Sequence, residues 1–169
     1  MIKKISLAAA LIYSVSIASA QKYASNSAIN KIVGNYLAVK NSLAADDAPA
    51  ASHNAKELFS TLSSDPGKTL NPGQQKMLNN YLDKLKYDSR HISEVSVIDH
   101  QREHFASLSK NLYEVLKGLK MNTAMLYEQY CPMKKAYWLS DAETVKNPYY
   151  GKKMPECGRV AATLTPVTK

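Results

Sequence analysis

Long hydrophobic runs are scarce in this 169-residue sequence, and the one clear run lies within its first 20 residues. A membrane-spanning helix needs about 20 mostly apolar residues, so the remainder of the chain predicts no membrane span. Common catalytic motifs are missing too, because the sequence has no glycine-rich phosphate loop, no His-Glu-x-x-His and no serine nucleophile elbow. These absences argue against an enzyme, and we expect a protein that binds rather than catalyses.

Clustered positive charge is also missing. The formal net charge is +8, but the lysines are spread along the chain and are not grouped with arginines and aromatic residues, as they are in a nucleic-acid groove. We therefore expect no nucleic-acid partner. The roughly 150 residues that follow the first hydrophobic run are enough for one domain with a real core, and hardly enough for two.

The first 20 residues have the pattern of a cleavable secretory signal peptide. Lys3 and Lys4 give a positive start, an apolar run extends from Ile5 to Ile17, and Ala18-Ser19-Ala20 is typical of a cleavage site. The run is too short for a spanning helix and ends in small residues. We predict cleavage near Ala20 and a periplasmic or secreted protein.

Apolar residues recur with helical spacing from residue 27 to residue 119, in segments that are separated by turn signals. The predicted helices cover about residues 29–43, 48–62, 73–87 and 92–119. The residues expected inside include Leu37, Leu58, Leu82, Phe105, Leu112 and Leu116. Amphipathic helices of this kind can bury their apolar stripes against one another, so the predicted fold is all-α, an antiparallel four-helix bundle.

The composition changes after Asn122, where the chain holds both cysteines, the only tryptophan and four of the seven prolines. Proline interrupts helices, so we expect an irregular Cys/Met/Tyr-rich segment that packs on the bundle. The predicted organisation is a signal peptide over residues 1–20, one helical-bundle domain over 21–160 and a flexible tail over 161–169.

Five short motifs carry a resemblance to a known family. They are Gln-Arg-x-His-Phe (101–105), Tyr-Cys-Pro-Met (130–133), Trp-Leu-Ser (138–140), Asn-Pro-Tyr-x-Gly (147–151) and Met-x-x-Cys-Gly (154–158). Together they resemble an exported helical domain family of unknown function, whose members also occur appended to the periplasmic adaptor (membrane fusion) subunits of heavy-metal efflux pumps. The resemblance covers about residues 32–160. It implies a heavy-metal context, with an efflux adaptor or another periplasmic protein as partner, and no assigned activity.

The segment Cys131-Pro132-Met133, followed by Met154 and Cys157-Gly158, is also similar to the short heavy-metal-binding modules of copper-handling proteins. It departs from them in having Lys134 where they have a histidine, and in lacking a Cys-x-x-Cys. Thiolates and thioethers are soft ligands that select Cu(I) over hard cations. The sequence therefore predicts a copper(I) site formed by Cys131, Met133, Met154 and Cys157.

Histidine can join such a set. His100 and His104 lie four residues apart on a predicted helix, so their rings share one face. We interpret His104, which belongs to the Gln-Arg-x-His-Phe motif, as an accessory ligand of the copper(I) site. His53 and His91 have no partner at a useful spacing, and we interpret both as surface residues.

A disulfide is the alternative, because two cysteines in an exported protein usually pair. A bond from Cys131 to Cys157 would close a loop of about 27 residues and stabilise the fold by roughly 3 kcal/mol in the chain-entropy model. Met133 and Met154 would then fill gaps beneath Trp138. The sequence thus leaves two functions open: a soft-metal-binding protein, and a structural or interaction module held by a disulfide.

Overall fold

The computed structural model describes residues 27–166, and the predicted signal peptide lies outside them. Four helices come first: α1 Ser27–Ala44, α2 Ala48–Ser63, α3 Pro72–Glu94 and α4 Ile98–Leu119. Three strands follow, β1 Leu126–Cys131, β2 Ala136–Ser140 and β3 Arg159–Leu164, with a short 3₁₀-helix over Gly151–Lys153. Within the described range, no helix has both the length and the apolar character needed to cross a membrane.

The all-α prediction is wrong, because the cysteine-bearing segment forms an antiparallel sheet in the order β2-β1-β3. The central strand β1 pairs with β2 through a hairpin and with β3 on its other side. The fold is therefore mixed, with a four-helix arrangement followed by a three-stranded sheet. Residues 161–164 belong to β3, although the sequence analysis placed them in a tail. Pro132 lies in the turn between β1 and β2, so it interrupts neither strand.

The break between α3 and α4 lies six to seven residues later than the sequence predicts. Helix α3 continues to Glu94, and α4 begins at Ile98. Ile92 and Ile98 both fit one continuous helical stripe, so the apolar period alone does not locate the break. As a result, His91 lies on α3 and not in a connecting turn.

One hydrophobic core joins the helices to the sheet. Tyr36 of α1 stacks on Phe105 of α4 with ring centroids 5.2 Å apart, and its hydroxyl accepts a 3.0 Å hydrogen bond from the Leu139 N–H of β2. Trp138 of β2 meets Tyr149 edge-on at 5.8 Å. The sheet is therefore packed on α1 and α4 through β2. Among the residues predicted to be inside, Leu58, Phe105, Leu112 and Leu116 are buried, whereas Leu37 and Leu82 are half-buried.

Gln101 holds the ends of two helices together. Its side-chain nitrogen donates to the Ala48 carbonyl at 3.1 Å and to the Val95 carbonyl at 2.8 Å. The Ala48 carbonyl lies at the start of α2, and the Val95 carbonyl lies just after the end of α3. One buried amide of α4 therefore holds both of these helix ends. The motif residue Gln101 is thus structural.

Arg102 extends this junction to the C-terminal segment. Its Nε donates to the Pro148 carbonyl at 2.9 Å, and its Nη2 donates to the Leu43 carbonyl at 3.1 Å and to Asp46 Oδ1 at 2.6 Å. A buried guanidinium requires such a full set of partners. Arg102 therefore ties the end of α1 and the loop before the 3₁₀-helix to α4.

Candidate functional site

The structure brings two of the five predicted ligands together, namely the two cysteines. Cys131 ends β1 and Cys157 lies two residues before β3, so the pairing of β1 with β3 places their sulfur atoms 3.7 Å apart. No bond joins the sulfur atoms. Cys131 is buried and Cys157 is half-buried, so the pair lies at the margin of the core.

The turn after Cys131 directs one backbone N–H towards its sulfur and another towards its carbonyl oxygen. The Lys134 N–H donates to Cys131 Sγ at 3.4 Å, and the Lys135 N–H donates to the Cys131 carbonyl at 2.8 Å. Pro132 has a fixed φ, and Lys135 adopts a φ of 56°, which closes the turn tightly. Hydrogen bonds to an ionised acceptor are the stronger ones, so this turn favours a thiolate at Cys131.

Asn147 fixes the loop that carries Cys157. Its Nδ2 donates to the Cys157 carbonyl at 2.6 Å, and its own N–H donates to the Pro155 carbonyl at 2.8 Å. Its Oδ1 accepts from the Tyr149 N–H at 2.8 Å. Asn147 is fully buried, so its amide is committed to this loop. The spacing of the two sulfur atoms is therefore set by the fold and does not need a bond between them.

Gly158 explains why glycine follows Cys157. A Cβ at this position would lie 2.8 Å from Trp138 Cη2 and 3.1 Å from the Tyr130 carbonyl oxygen. Any larger residue would push the chain away from β1 and from the buried indole. The Cys-Gly pair thus keeps Cys157 close to Cys131.

The two thiols differ in acidity. Burial alone would raise the pKa of Cys131, but hydrogen bonds from the Lys134 backbone, the Asn147 side chain and Cys157 outweigh burial and lower that pKa. Burial and the neighbouring Cys131 sulfur raise the pKa of Cys157. The pair therefore combines a more acidic thiol, Cys131, with a less acidic partner, Cys157, at hydrogen-bond distance.

The two methionines lie in the turns next to the cysteines. Met133 is in the β1–β2 turn with 65% of its surface exposed, and the half-buried Met154 ends the 3₁₀-helix. The Met154 carbonyl accepts a 3.3 Å hydrogen bond from the Cys157 N–H. Neither side chain belongs to the hydrophobic core formed by the described residues.

His104 lies at a different place in the fold. Its Nδ1 is 3.1 Å from Asp88 Oδ1, and its ring stacks on His91 with centroids 4.7 Å apart. Its hydrogen bond and ring contacts are all with residues of α3 and α4, so the structure does not bring it to the cysteines. Across residues 27–166, no three His, Cys, Asp or Glu side chains are already arranged to hold a metal ion.

Two residues that contact the predicted ligands, Asn147 beside the cysteine pair and His91 beside His104, were not predicted from the sequence. Asn147 belongs to the Asn-Pro-Tyr-x-Gly motif, and that motif is the signal that could have pointed to it. His91 has no such signal, because its contact with His104 depends on where α3 ends.

Comparison with known families identifies the helical part of the chain. Residues 32–124 match the model of a family described as "Protein of unknown function (DUF3347)". The chain belongs to this family. The expected likeness to a domain family of unknown function is thereby confirmed. The match covers most of α1 and all of α2, α3 and α4, and it ends before β1, so the cysteine-bearing sheet lies outside it. No curated protein and no solved structure matches this DUF3347 protein.

Proposed function

We propose that this protein is an exported binding protein, not an enzyme, and that it holds a soft metal ion, Cu(I), between Cys131 and Cys157. The observation that carries the proposal is the 3.7 Å separation of two unbonded sulfur atoms. Two thiolates that bind one ion at about 2.3 Å in tetrahedral geometry lie about 3.8 Å apart. The spacing therefore fits an ion held by both sulfurs with the backbone unchanged.

The unequal acidity of the thiols supports the same function. Metal ligation requires thiolates. The lowered pKa of Cys131 means that its thiolate forms at a lower pH than that of an ordinary cysteine. Binding then displaces the remaining proton from Cys157, so affinity should weaken as the pH falls. Thiolate sulfur is a soft donor, which favours Cu(I) or Ag(I) over Mg²⁺ and Ca²⁺.

Met133 and Met154 complete the proposed set of soft donors. Met133 is largely exposed, so its thioether can move over the cysteine pair without opening the core. Pro132 and Pro155 stiffen the two turns, and a preorganised turn loses less entropy when it closes around an ion. His104 is left out of this set, because its ring contacts α3.

The resemblance of the C-terminal motifs supports a place in heavy-metal handling. On that basis, the partner is an adaptor subunit of a heavy-metal efflux pump or another periplasmic protein, to which the bound ion is passed or from which it is received. The signal peptide pattern supports the exported compartment.

An anaerobic Cu(I) titration against a competing chelator tests the proposal on the reduced protein. The wild type should bind one Cu(I), and the variant Cys131→Ser, Cys157→Ser should lose that binding. His53→Ala is the matched control, because this exposed histidine on α2 should leave the affinity unchanged. Equal Cu(I) affinity in the double serine variant and the wild type would refute the proposal.

A second variant separates ligation by the methionines from packing. Met133→Leu, Met154→Leu keeps the side-chain volume and removes both thioethers, so stability should change little. We expect weaker Cu(I) binding in this variant. Unchanged affinity would limit the site to the two cysteines.

A structural or interaction module with a Cys131–Cys157 disulfide is the second candidate. The same sulfur proximity favours it, and so does a pair of aromatic side chains on the β1–β2 hairpin. Tyr130 and Tyr137 pack with ring centroids 4.5 Å apart, and Tyr137 is 45% exposed. If the thiols of the exported protein are fully oxidised and reduction gives no Cu(I) binding, this second function is the better one.

A further inference from the structure

A cluster of three histidines lies between α3 and α4, on elements other than those that carry the cysteines. His91 comes from α3, and His100 and His104 come from α4. The ring centroids of His91 and His104 are 4.7 Å apart, and those of His100 and His104 are 4.9 Å apart. Because the rings come from two helices, the packing of the bundle itself brings them together.

Each of the three rings has its Nδ1 next to an oxygen atom. The partners are Asp88 Oδ1 at 3.1 Å for His104, the Tyr87 carbonyl at 3.0 Å for His91, and Glu103 Oε2 at 3.3 Å for His100. Carbonyl and carboxylate oxygens only accept, so the hydrogen bonds of His91 and His104 place the proton of each neutral ring on Nδ1. The lone pair is then on Nε2 in these two rings, while His100 makes an ion-pair contact with Glu103.

This arrangement is the one that prepares a histidine to bind a metal ion. Histidine ligands almost always donate their other ring N–H to a carboxylate or a backbone carbonyl, which fixes the ring and strengthens the ligating nitrogen. Asp88 is buried, and its recorded hydrogen bond is with His104. The side chain of His100 is 47% exposed, so the cluster is open to solvent and to an arriving ion.

The spacing of the rings is close to that of rings sharing one ion. Rings that bind one ion through Nε2 at about 2.1 Å in tetrahedral geometry have centroids about 5.3 Å apart. The observed 4.7 Å and 4.9 Å are slightly shorter, so side chains from the two helices are near enough to reach one ion. In residues 27–166 no such donors already surround one point, so the side chains of His91 and His100 must rotate to bring Nε2 to the ion, which gives up their contacts with Tyr87 and Glu103, while His104 keeps its contact with Asp88.

We propose that His91, His100 and His104 form a second metal site, for a divalent ion of the Zn²⁺ class, independent of the cysteine pair. Imidazole nitrogen suits Zn²⁺ and Cu²⁺ rather than Cu(I) or the hard cations. Asp88 is a positioning residue for this site, because it touches His104 and not the ion.

Zn²⁺ titration of the untagged protein carrying Cys131→Ser and Cys157→Ser tests this site without the thiols. We expect one bound Zn²⁺. Loss of a residue that only hydrogen-bonds to a metal ligand typically lowers metal affinity about 10–100-fold. His91→Ala, His100→Ala removes two proposed ligands, so it should weaken Zn²⁺ binding by at least that factor. Asp88→Asn should weaken binding within the same range, and His53→Ala is the matched control that should not.

The choice of variants keeps the test decisive. His104→Ala leaves buried Asp88 without its partner and can unfold the bundle, so the decision rests on His91 and His100. Zn²⁺ affinity in the His91→Ala, His100→Ala variant equal to that of the His53→Ala control would overturn the proposal, and so would no Zn²⁺ binding at all. Co²⁺ should give visible absorption bands without a thiolate charge-transfer band. Because the cysteines are absent from these proteins, failure here leaves the Cu(I) result unaffected.

Discussion

The carboxylate of Asp46 accepts a 2.6 Å hydrogen bond from Arg102 Nη2 on one oxygen and a 2.9 Å bond from the Lys152 N–H on the other. Asp46 follows α1, Arg102 lies on α4, and Lys152 belongs to the 3₁₀-helix that precedes the Cys157 loop. One side chain thus connects the helices to the segment that carries the candidate site. The Lys152 N–H and the Arg102 side chain both stabilise the charged form, so they lower the pKa of Asp46.

This carboxylate makes the stability of the fold depend on pH. The pKa of Asp46 in the folded protein lies below its value of about 3.9 in an unfolded chain. Its contribution is therefore fully present above that unfolded value and is lost as the pH falls through the lower folded value. Urea unfolding at pH steps below about 4 should show a smaller acid-induced loss for Asp46→Asn than for the wild type. Identical losses in the two proteins would show that Asp46 does not contribute.

Two glycines should respond to alanine with opposite signs. Gly151 has a φ of 52°, and a Cβ there would overlap the Asp46 carboxylate and lie 2.7 Å from Arg102 Nη2. We expect Gly151→Ala to cost at least about 1–3 kcal/mol. Gly34 lies within α1, and a Cβ there would meet no atom within 4 Å from the rest of residues 27–166 beyond its own helical turn. Gly34→Ala should stabilise the protein by about 0.5–1 kcal/mol, and denaturant unfolding of both variants checks the pair.

Leu112 tests the helical core. Its surface is 1% exposed, so Leu112→Ala should reduce the free energy of unfolding by about 2–5 kcal/mol. Leu37→Ala is the matched control, and it should cost less because Leu37 is half-buried. Wild-type stability of Leu112→Ala in denaturant unfolding would contradict the packing of α4.

The two thiols should not both be free in protein isolated without reductant from an oxidising compartment. With Sγ atoms 3.7 Å apart, Cys131 and Cys157 can form a disulfide when oxidised or hold a metal ion when reduced. Thiol counting in denaturant, with and without a strong chelator, distinguishes the two states. Two freely reacting thiols in a metal-free, non-reduced sample would contradict both proposed functions.

The helices were predictable from sequence, and the sheet was not. Each helix has at least 16 residues, so several turns of apolar spacing report it. The strands have five or six residues, too few for a clear period, and prolines lie between them. Ile92 and Ile98 both face the core, so the apolar spacing continues across the end of α3 and does not mark it.

The candidate site was predictable only where motifs mark it. Cys131 and Cys157 lie in motifs that resemble metal-binding modules, but the pairing of β1 with β3 that brings their sulfur atoms together was not predicted. His104 lies in a motif too, but its neighbours depend on tertiary packing against α3. The histidine cluster combines His91 and His104 across two helices, and no spacing along the chain reveals such a contact.

Copper K-edge X-ray absorption of the Cu(I)-loaded protein identifies the atoms bound to the ion, and so shows whether the two cysteines hold it. We expect a first shell of sulfur alone, with at least two sulfur atoms, that disappears in the Cys131→Ser, Cys157→Ser variant. A first shell of nitrogen or oxygen in the wild type, or an unchanged sulfur shell in the double serine variant, would contradict it.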